Sequence, residues 1–332
     1  MPEIRQNIAT KEWVIIATER SKRPHDFKAP ERERAEKRAA FVPGCPFCPG
    51  NEGMTPDETF RIERGGAWSV RVTPNKFAAL NREGERVRRI HGVERSMSGV
   101  GVHEVIVETP LHNKTIALLS GGEISDVLAA YRQRYESILA DPRIELVIIF
   151  KNHGEAAGTS LEHPHSQLIA LPIVPSQVRH RLQDALIFSD DYGECVYCRM
   201  LREERKDGRR VVAENEHFCA FILYAAASPF HIWVLPKRHA ASFGAASDAE
   251  LKNLADILGR VLRKLYFGLD DPDFNYVIRS APNGLRNATY FHWYLSIVPR
   301  LGKAAGFELG SGMFINPSVP EESADFLRGV KS

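Results

Sequence analysis

Two CxxC pairs, each followed by the same succession of elements, constrain this chain more than any other feature. Cys45 and Cys48 open the first series, Cys195 and Cys198 the second. Each pair is followed by a β-rich run that begins and ends in histidine, from His103 to His112 and from His231 to His239. An amphipathic helix comes next, with Ile124, Leu128, Tyr131, Tyr135 and Ile138 on one face in the first series and Leu251, Leu254, Leu258, Val261 and Leu265 in the second. Both helices open on a Ser-x-x-Glu capping box, Ser120 with Glu123 and Ser247 with Glu250. A strand running into Asn-x-Gly or Asn-Gly follows (147–154 and 276–284), then one that opens on histidine and closes on proline (163–172 and 292–299). His112 and His163 are 51 positions apart, His239 and His292 are 53. Five shared elements in one order imply an internal duplication. A chain of 332 residues accommodates two α+β domains in tandem, 1–178 and 179–332, each an antiparallel sheet with packed helices. Residues 174–194 join them, and the charge- and proline-dense stretch 22–38 reads as an exposed excursion.

A CxxC pair brings two thiolates within reach of one ion, and two imidazoles complete a closed tetrahedral site of the structural zinc kind. The duplication nominates Cys45, Cys48, His112 and His163 for one site and Cys195, Cys198, His239 and His292 for the other, hence two zinc ions per chain. A redox dithiol would normally open a helix after a strand, whereas Pro46, Pro49 and Gly50 around the first pair suggest a turn. An odd, clustered count of five cysteines argues against a secreted disulfide framework and for a reducing cytoplasm. Cys219, in a strand-like stretch, reads as a small buried apolar residue, and His103 and His231 as strand histidines hydrogen-bonded in place.

The most informative stretch is Gly158-Thr-Ser160-Leu-Glu-His163-Pro-His165-Ser166-Gln167. Strand alternation puts His163 and His165 on one face, with Pro164 restricting the backbone between them. If a metal holds His163, His165 is fixed two residues away, which is the placement a nucleophile needs. Gly154 and Gly158 allow backbone to approach a charged group, and Ser160, Ser166 and Gln167 offer neutral donors to phosphate oxygens. A neutral imidazole attacks phosphorus without a carboxylate base. In the second series Tyr294 stands where His165 does, as expected of a copy that kept its metal and lost its chemistry.

The motif Gly158-x-Ser160-x-x-His163-Pro-His165-x-Gln167 resembles the active-site motif of galactose-1-phosphate uridylyltransferases, a branch of the histidine-triad superfamily. The likeness covers nearly the whole chain: Trp13-Val-Ile-Ile with Arg20-Ser-Lys-Arg23-Pro, Cys45-Pro-Phe-Cys48-Pro-Gly, Pro74-Asn75-Lys-Phe77, and His103-Glu-Val-Ile-Val with His112. The resemblance implies two tandem histidine-triad-like domains, a cytoplasmic homodimer, and a two-step exchange through a nucleotidyl-histidine at His165. The partners it implies are a sugar nucleotide and a hexose 1-phosphate, foremost UDP-glucose and galactose 1-phosphate. It also implies that Ser160 and Gln167 bind the transferring phosphate, that Asn75, Phe77, Asn152 and Gly158 line the substrate side, and that Arg20 and Arg23 meet the sugar phosphate. Phe307 and Gly310 fall in the family's C-terminal sugar-contacting segment, where the best-known members carry a tyrosine and an acidic residue and this chain reads Gly306-Phe307-Glu308-Leu-Gly310-Ser311-Gly312. The second series has His292-Trp-Tyr294 where the best-known members have His-x-His. Both departures resemble the branch that keeps a second Cys-Cys-His-His site and includes ADP-glucose phosphorylases, in which inorganic phosphate is the acceptor.

A non-enzymatic double-zinc module is the alternative of another class. The net charge of +2 and the lack of a basic, aromatic-interleaved surface pattern argue against nucleic acid as its partner. No apolar run approaches the roughly 20 residues of a membrane span, and the start of the chain lacks a signal-peptide pattern.

Overall fold

A computed structural model of the chain describes residues 1–17, 24–27 and 34–331. Residues 22, 23 and 28–33 of the excursion, and with them Arg23, lie outside the described residues, as does Arg20.

The first half contributes strands β1 (Glu3–Gln6), β2 (Trp13–Ile16), β3 (Phe60–Arg64), β4 (Ala67–Pro74), β5 (Arg88–His91), β6 (Glu94–Met97), β7 (Val102–Val107), β8 (Leu146–His153) and β9 (His165–Leu171). Helix α1 (Gly121–Leu139) lies between β7 and β8. Two helices then connect the halves, α2 (Ser176–Tyr192) and α3 (Val196–Asp207). The second half holds β10 (Val211–Glu214), β11 (Phe218–Ile222), β12 (Ile232–Pro236), β13 (Phe274–Arg279), β14 (Tyr294–Pro299) and β15 (Phe314–Asn316), with helices α4 (Asp248–Leu269), α5 (Gly306–Ser311) and α6 (Pro320–Gly329).

The duplication is visible as a mirrored strand order. One sheet of ten strands runs β10-β11-β12-β14-β13-β8-β9-β7-β4-β3. Reading outward from the β13–β8 contact gives the same sequence of counterparts on each side. The two antiparallel sheets expected from the sequence are therefore joined edge to edge. Antiparallel pairing of Asn275 with Asn152 and of Val277 with Phe150 makes the join. Merging removes two exposed strand edges, each a row of unpaired backbone groups. Strands β1, β2 and β15 form a separate small sheet in which β15 runs parallel to β2.

Both capping boxes are formed: Ser120 and Ser247 accept from the third backbone amide of α1 and α4, and Glu123 and Glu250 answer reciprocally. Helix α1 covers one face of the first half-sheet, burying Ile124, Val127, Leu128 and Tyr131 against Ile106, Ile149, Leu168 and Ala170. Helix α4 does the same for the second half with Leu254, Leu258, Val261 and Leu265, and the two helices pack together. Alternation along β9 points Ser166, Leu168 and Ala170 at α1, so His165 and Gln167 lie on the opposite face. The two halves differ on that opposite face. It carries open cavities in the first half, whereas α2 and α3 cover it in the second. No described helix is long and apolar enough to cross a membrane.

Candidate active site and metal centres

The turn at 43–50 sets Cys45 and Cys48 against the backbone that enters β9. Cys45 Sγ and Cys48 Sγ each lie 3.7 Å from His163 Nδ1, and Cys48 Sγ lies 3.6 Å from His112 Nδ1. All four residues are buried. Zinc bonds near 2.3 Å to sulfur and 2.0–2.1 Å to nitrogen give tetrahedral S···N edges of about 3.6 Å, so this spacing accommodates such an ion. His163 Nε2 donates to the Thr109 carbonyl at 2.8 Å, which leaves the Nδ1 lone pair facing the thiols. Burial lowers the His163 pKa to about 4, so its imidazole is neutral, as a ligand must be.

The second cluster repeats the arrangement with a difference. Cys195 opens α3, and the ligand atoms of Cys195, Cys198 and His239 lie within 4.8 Å of one another. Cys198 Sγ is 3.3 Å from His239 Nδ1, and His239 Nε2 donates to the Ala288 carbonyl at 3.2 Å. The His292 ring packs edge-on to His239 at 5.3 Å, much as His163 does to His112 at 5.2 Å. Its Nδ1, however, donates to the Trp293 carbonyl at 2.8 Å, and its Nε2 is buried without a hydrogen-bond partner. The structure thus groups three of the four expected ligands and places the fourth beside them.

His165 is the first residue of β9 and is buried. Its Nδ1 donates to the carbonyl of His163 at 2.8 Å. That bond keeps the proton on Nδ1 and the lone pair on Nε2, for which no partner is recorded among the described residues. Burial holds its pKa below the usual histidine value, so the neutral, nucleophilic form dominates near neutral pH. The rings of His163 and His165 both pack on Phe47, at 6.0 and 5.3 Å, as their shared face requires.

His165, Ser160 and Leu161 stand where two cavities meet. One, of ≈ 360 Å³, is lined by Phe47, Met54, Asn75, Phe77, Val105 and Gln167. The other, of ≈ 770 Å³, is more polar and is lined by Lys114, Lys151, Asn152, Thr159 and, from the second half, Asp271. Lys114 has no carboxylate partner among the described residues. Gln167 is oriented by His103: His103 Nδ1 accepts from the Ala79 amide at 3.1 Å, so its Nε2 carries the proton and donates to Gln167 Oε1 at 2.8 Å. The Gln167 amide is left as a donor. Asn75 is held by its Oδ1, which accepts from the Phe77 amide at 2.9 Å. Asn152 Oδ1 accepts from Asn275 of the second half at 2.8 Å.

Gly154 and Gly158 both have positive φ, +83° and +87°. At Gly154 the reason is packing: a Cβ would sit 1.8 Å from Asp273 Oδ1. Gly158 has nothing nearer than 3.9 Å and lies open. Phe307 and Gly310 are on α5 and line neither cavity.

Sequence reasoning missed the layer behind the nucleophile. Lys151 is buried and pairs with buried Glu108 at 2.6 Å. Glu108 also accepts from Ser166 and from Tyr131, whose hydroxyl lies 2.6 Å from that of Tyr276 in the second half. The available signal was the alternation itself, which puts Lys151 of β8 and Glu108, one residue past β7, on the helix-facing side of the sheet.

Comparison with known proteins gives a consistent result. The family model "Galactose-1-phosphate uridyl transferase, N-terminal domain" matches residues 1–175, and its C-terminal counterpart matches 175–310. The chain is 36% identical to an ADP-glucose phosphorylase of Arabidopsis thaliana over 99% of its length and 93% of the relative's. It is 28% identical to a galactose-1-phosphate uridylyltransferase of Thermotoga maritima over 99% and 98% of the two chains. A crystal structure of an Arabidopsis thaliana ADP-glucose phosphorylase with bound ADP-glucose superposes with a TM-score of 0.84 at 33% identity, covering 100% of this chain and 99% of that one.

Proposed function

The chain belongs to the galactose-1-phosphate uridylyltransferase family of nucleotidyltransferases, and from that premise we propose that it transfers the adenylyl group of ADP-glucose to inorganic phosphate through a bond to His165. The observation that carries the reading is the position of His165 Nε2, an unprotonated nitrogen at the junction of two cavities. One cavity suits a nucleoside and the other a leaving group and then its replacement. The choice of ADP-glucose and phosphate over UDP-glucose and galactose 1-phosphate rests on the 36% identity to the plant phosphorylase, against 28% to the uridylyltransferase.

In the first step Nε2 attacks the α-phosphorus of ADP-glucose. The bond from that phosphorus to the bridging oxygen breaks, and glucose 1-phosphate leaves with the bond's electron pair. The imidazole becomes cationic, and its Nδ1–H, already bonded to the His163 carbonyl, spreads that charge without rearrangement. In the second step a phosphate oxygen attacks the same phosphorus from the vacated cavity, giving ADP and restoring neutral His165. The Gln167 amide and the Ser160 hydroxyl serve as donors to the phosphoryl oxygens. Asn75 and Phe77 face the nucleoside, and Lys114 with Asn152 faces the acceptor.

Two thiols and two imidazoles are the donor set of zinc, and we assign zinc to Cys45, Cys48, His112 and His163. The ion's part there is structural, since it holds His163 and so fixes the residue two positions on. A second zinc on Cys195, Cys198 and His239, with His292 as fourth ligand, accounts for the unpartnered buried nitrogen of His292.

Turnover tests the reading. ADP-glucose with phosphate should yield ADP and glucose 1-phosphate at a kcat/KM well above that for UDP-glucose with galactose 1-phosphate. The reverse preference would return the chain to the uridylyltransferase branch.

A further inference from the structure

The open face of the first half has a counterpart in the second, and it is not simply filled in. Tyr294 stands on β14 where His165 stands on β9, and Tyr197 of α3 and Trp233 of β12 stack on it at 5.4 and 4.1 Å. Arg279 pairs with Tyr294 across β13 and β14, and so corresponds to Asn152 of the first half. Arg181 reaches in from α2 and donates to the Tyr294 hydroxyl at 3.0 Å. Both arginines line a cavity of ≈ 20 Å³, together with Val178, Phe291 and Tyr294.

The charges in this pocket do not balance. A guanidinium stays protonated in a protein, so it cannot escape burial by losing a proton as a lysine can. Arg181 has a distant partner in Glu12 at 3.7 Å. No hydrogen bond or ion pair to Arg279 is recorded among the described residues, and the Nε atoms of both arginines are buried without partners. Glu12 and Asp184 line only the outer groove beside Arg181, and no carboxylate lines the inner cavity that Arg181 shares with Arg279. The excess also reaches His231 nearby, whose imidazole is held neutral by burial and by Arg181, Arg279 and Arg300. Both arginines are half-buried, and two like charges side by side repel, a repulsion that an anion between them relieves.

We propose that the cavity between Arg181 and Arg279 binds one small monovalent anion of chloride's size, a structural halide site in the second half. The cavity has room for about one water-sized sphere, which admits a halide and excludes phosphate or a nucleotide. One anion in the inner cavity, which has no carboxylate of its own, offsets charge from both guanidinium groups. Arg181 also lines an outer groove of ≈ 350 Å³ with Thr10, Glu12 and Gln177, which provides a way in.

Two measurements on the full chain test the site. Thermal unfolding at constant ionic strength, with sodium chloride or bromide replaced by sodium gluconate, should lower Tm by about 2–4 °C in gluconate. Arg279→Met should unfold at the same temperature in all three salts. Crystals grown in bromide should show an anomalous peak between Arg181 and Arg279, a reading that needs no variant to fold. Equal Tm in all three salts would overturn the proposal, as would crystals without the peak or with a carboxylate from a neighbouring copy against Arg279. A bromide peak with no effect of halide on stability would mark an adventitious ion only, and would also overturn it.

Discussion

Lys151 donates to the backbone carbonyl of His165 across 3.1 Å, from the helix-covered side of the sheet. The nucleophile is thus held by its own chain from two directions: its side chain by the His163 carbonyl and its carbonyl by a lysine on the neighbouring strand. Glu108 holds the lysine in turn at 2.6 Å.

This arrangement predicts a strong dependence between the two charged residues. Lys151→Met leaves Glu108 buried without its counterion and should cost about 3–5 kcal/mol of stability. Lys151→Met combined with Glu108→Leu should recover most of that loss while keeping kcat depressed, because the carbonyl of His165 still lacks its donor. Urea unfolding of the three variants, with a double-mutant cycle, measures the coupling.

A second prediction concerns the orientation of Gln167. His103 engages Gln167 Oε1, so the amide of Gln167 faces the reaction. Gln167→Ala should lower kcat by about 10²–10³, the usual cost of one donor to a developing oxyanion. His103→Leu leaves Gln167 in place but free to rotate, and should lower kcat by less than Gln167→Ala while leaving KM for phosphate nearly unchanged. Steady-state kinetics with phosphate as the varied substrate distinguishes the two.

Metal removal should separate the two centres. Site one holds His163 next to the nucleophile, whereas site two lies on the half without chemistry. Elemental analysis should find close to two zinc ions per chain in protein purified without added metal. Cys48→Ser should cost both stability and turnover, because ion binding is coupled to folding. Cys198→Ser should lower Tm with a much smaller effect on kcat.

The fourth prediction concerns pH. Burial lowers the His231 pKa to about 3, below its value near 6.5 in an unfolded chain. The unfolded state therefore binds this proton first, so the stability held above pH 6.5 is lost progressively as pH falls from there towards 3. Replacing His231 with Asn should reduce proton uptake on unfolding between pH 6 and 5 by close to one. Denaturant midpoints across that window, compared with the wild type, give the difference.

Much of this was legible in the sequence because it was local or repeated. The two CxxC series mapped onto mirrored half-sheets, the Ser120 and Ser247 caps formed, and alternation through Pro164 put His163 and His165 against one ring, Phe47. The pairing of β8 with β13 was not legible, because two edge strands of similar composition carry no mark of which edge they meet. The Glu108–Lys151 pair was hidden because isolated charges on a strand read as solvated positions. Arg279 on β13 was hidden for the same reason, and Arg181 because a charge on a helix reads as a solvated face. Gly154 read as backbone making room for a charged group, but the structure makes it room for Asp273. His292 shows where the two copies differ in detail. Its ring keeps the position of His163, while the following Trp293 carbonyl takes its Nδ1.

The most direct test is the mass of the intact protein after brief incubation with ADP-glucose in the absence of phosphate. The wild type should gain one adenylyl group, lose it on addition of phosphate with release of ADP, and gain little from UDP-glucose. His165→Asn should keep its fold and zinc and gain nothing. An adduct that forms equally on His165→Asn, or no adduct on the wild type from either sugar nucleotide, would contradict a nucleotidyl-histidine at this position.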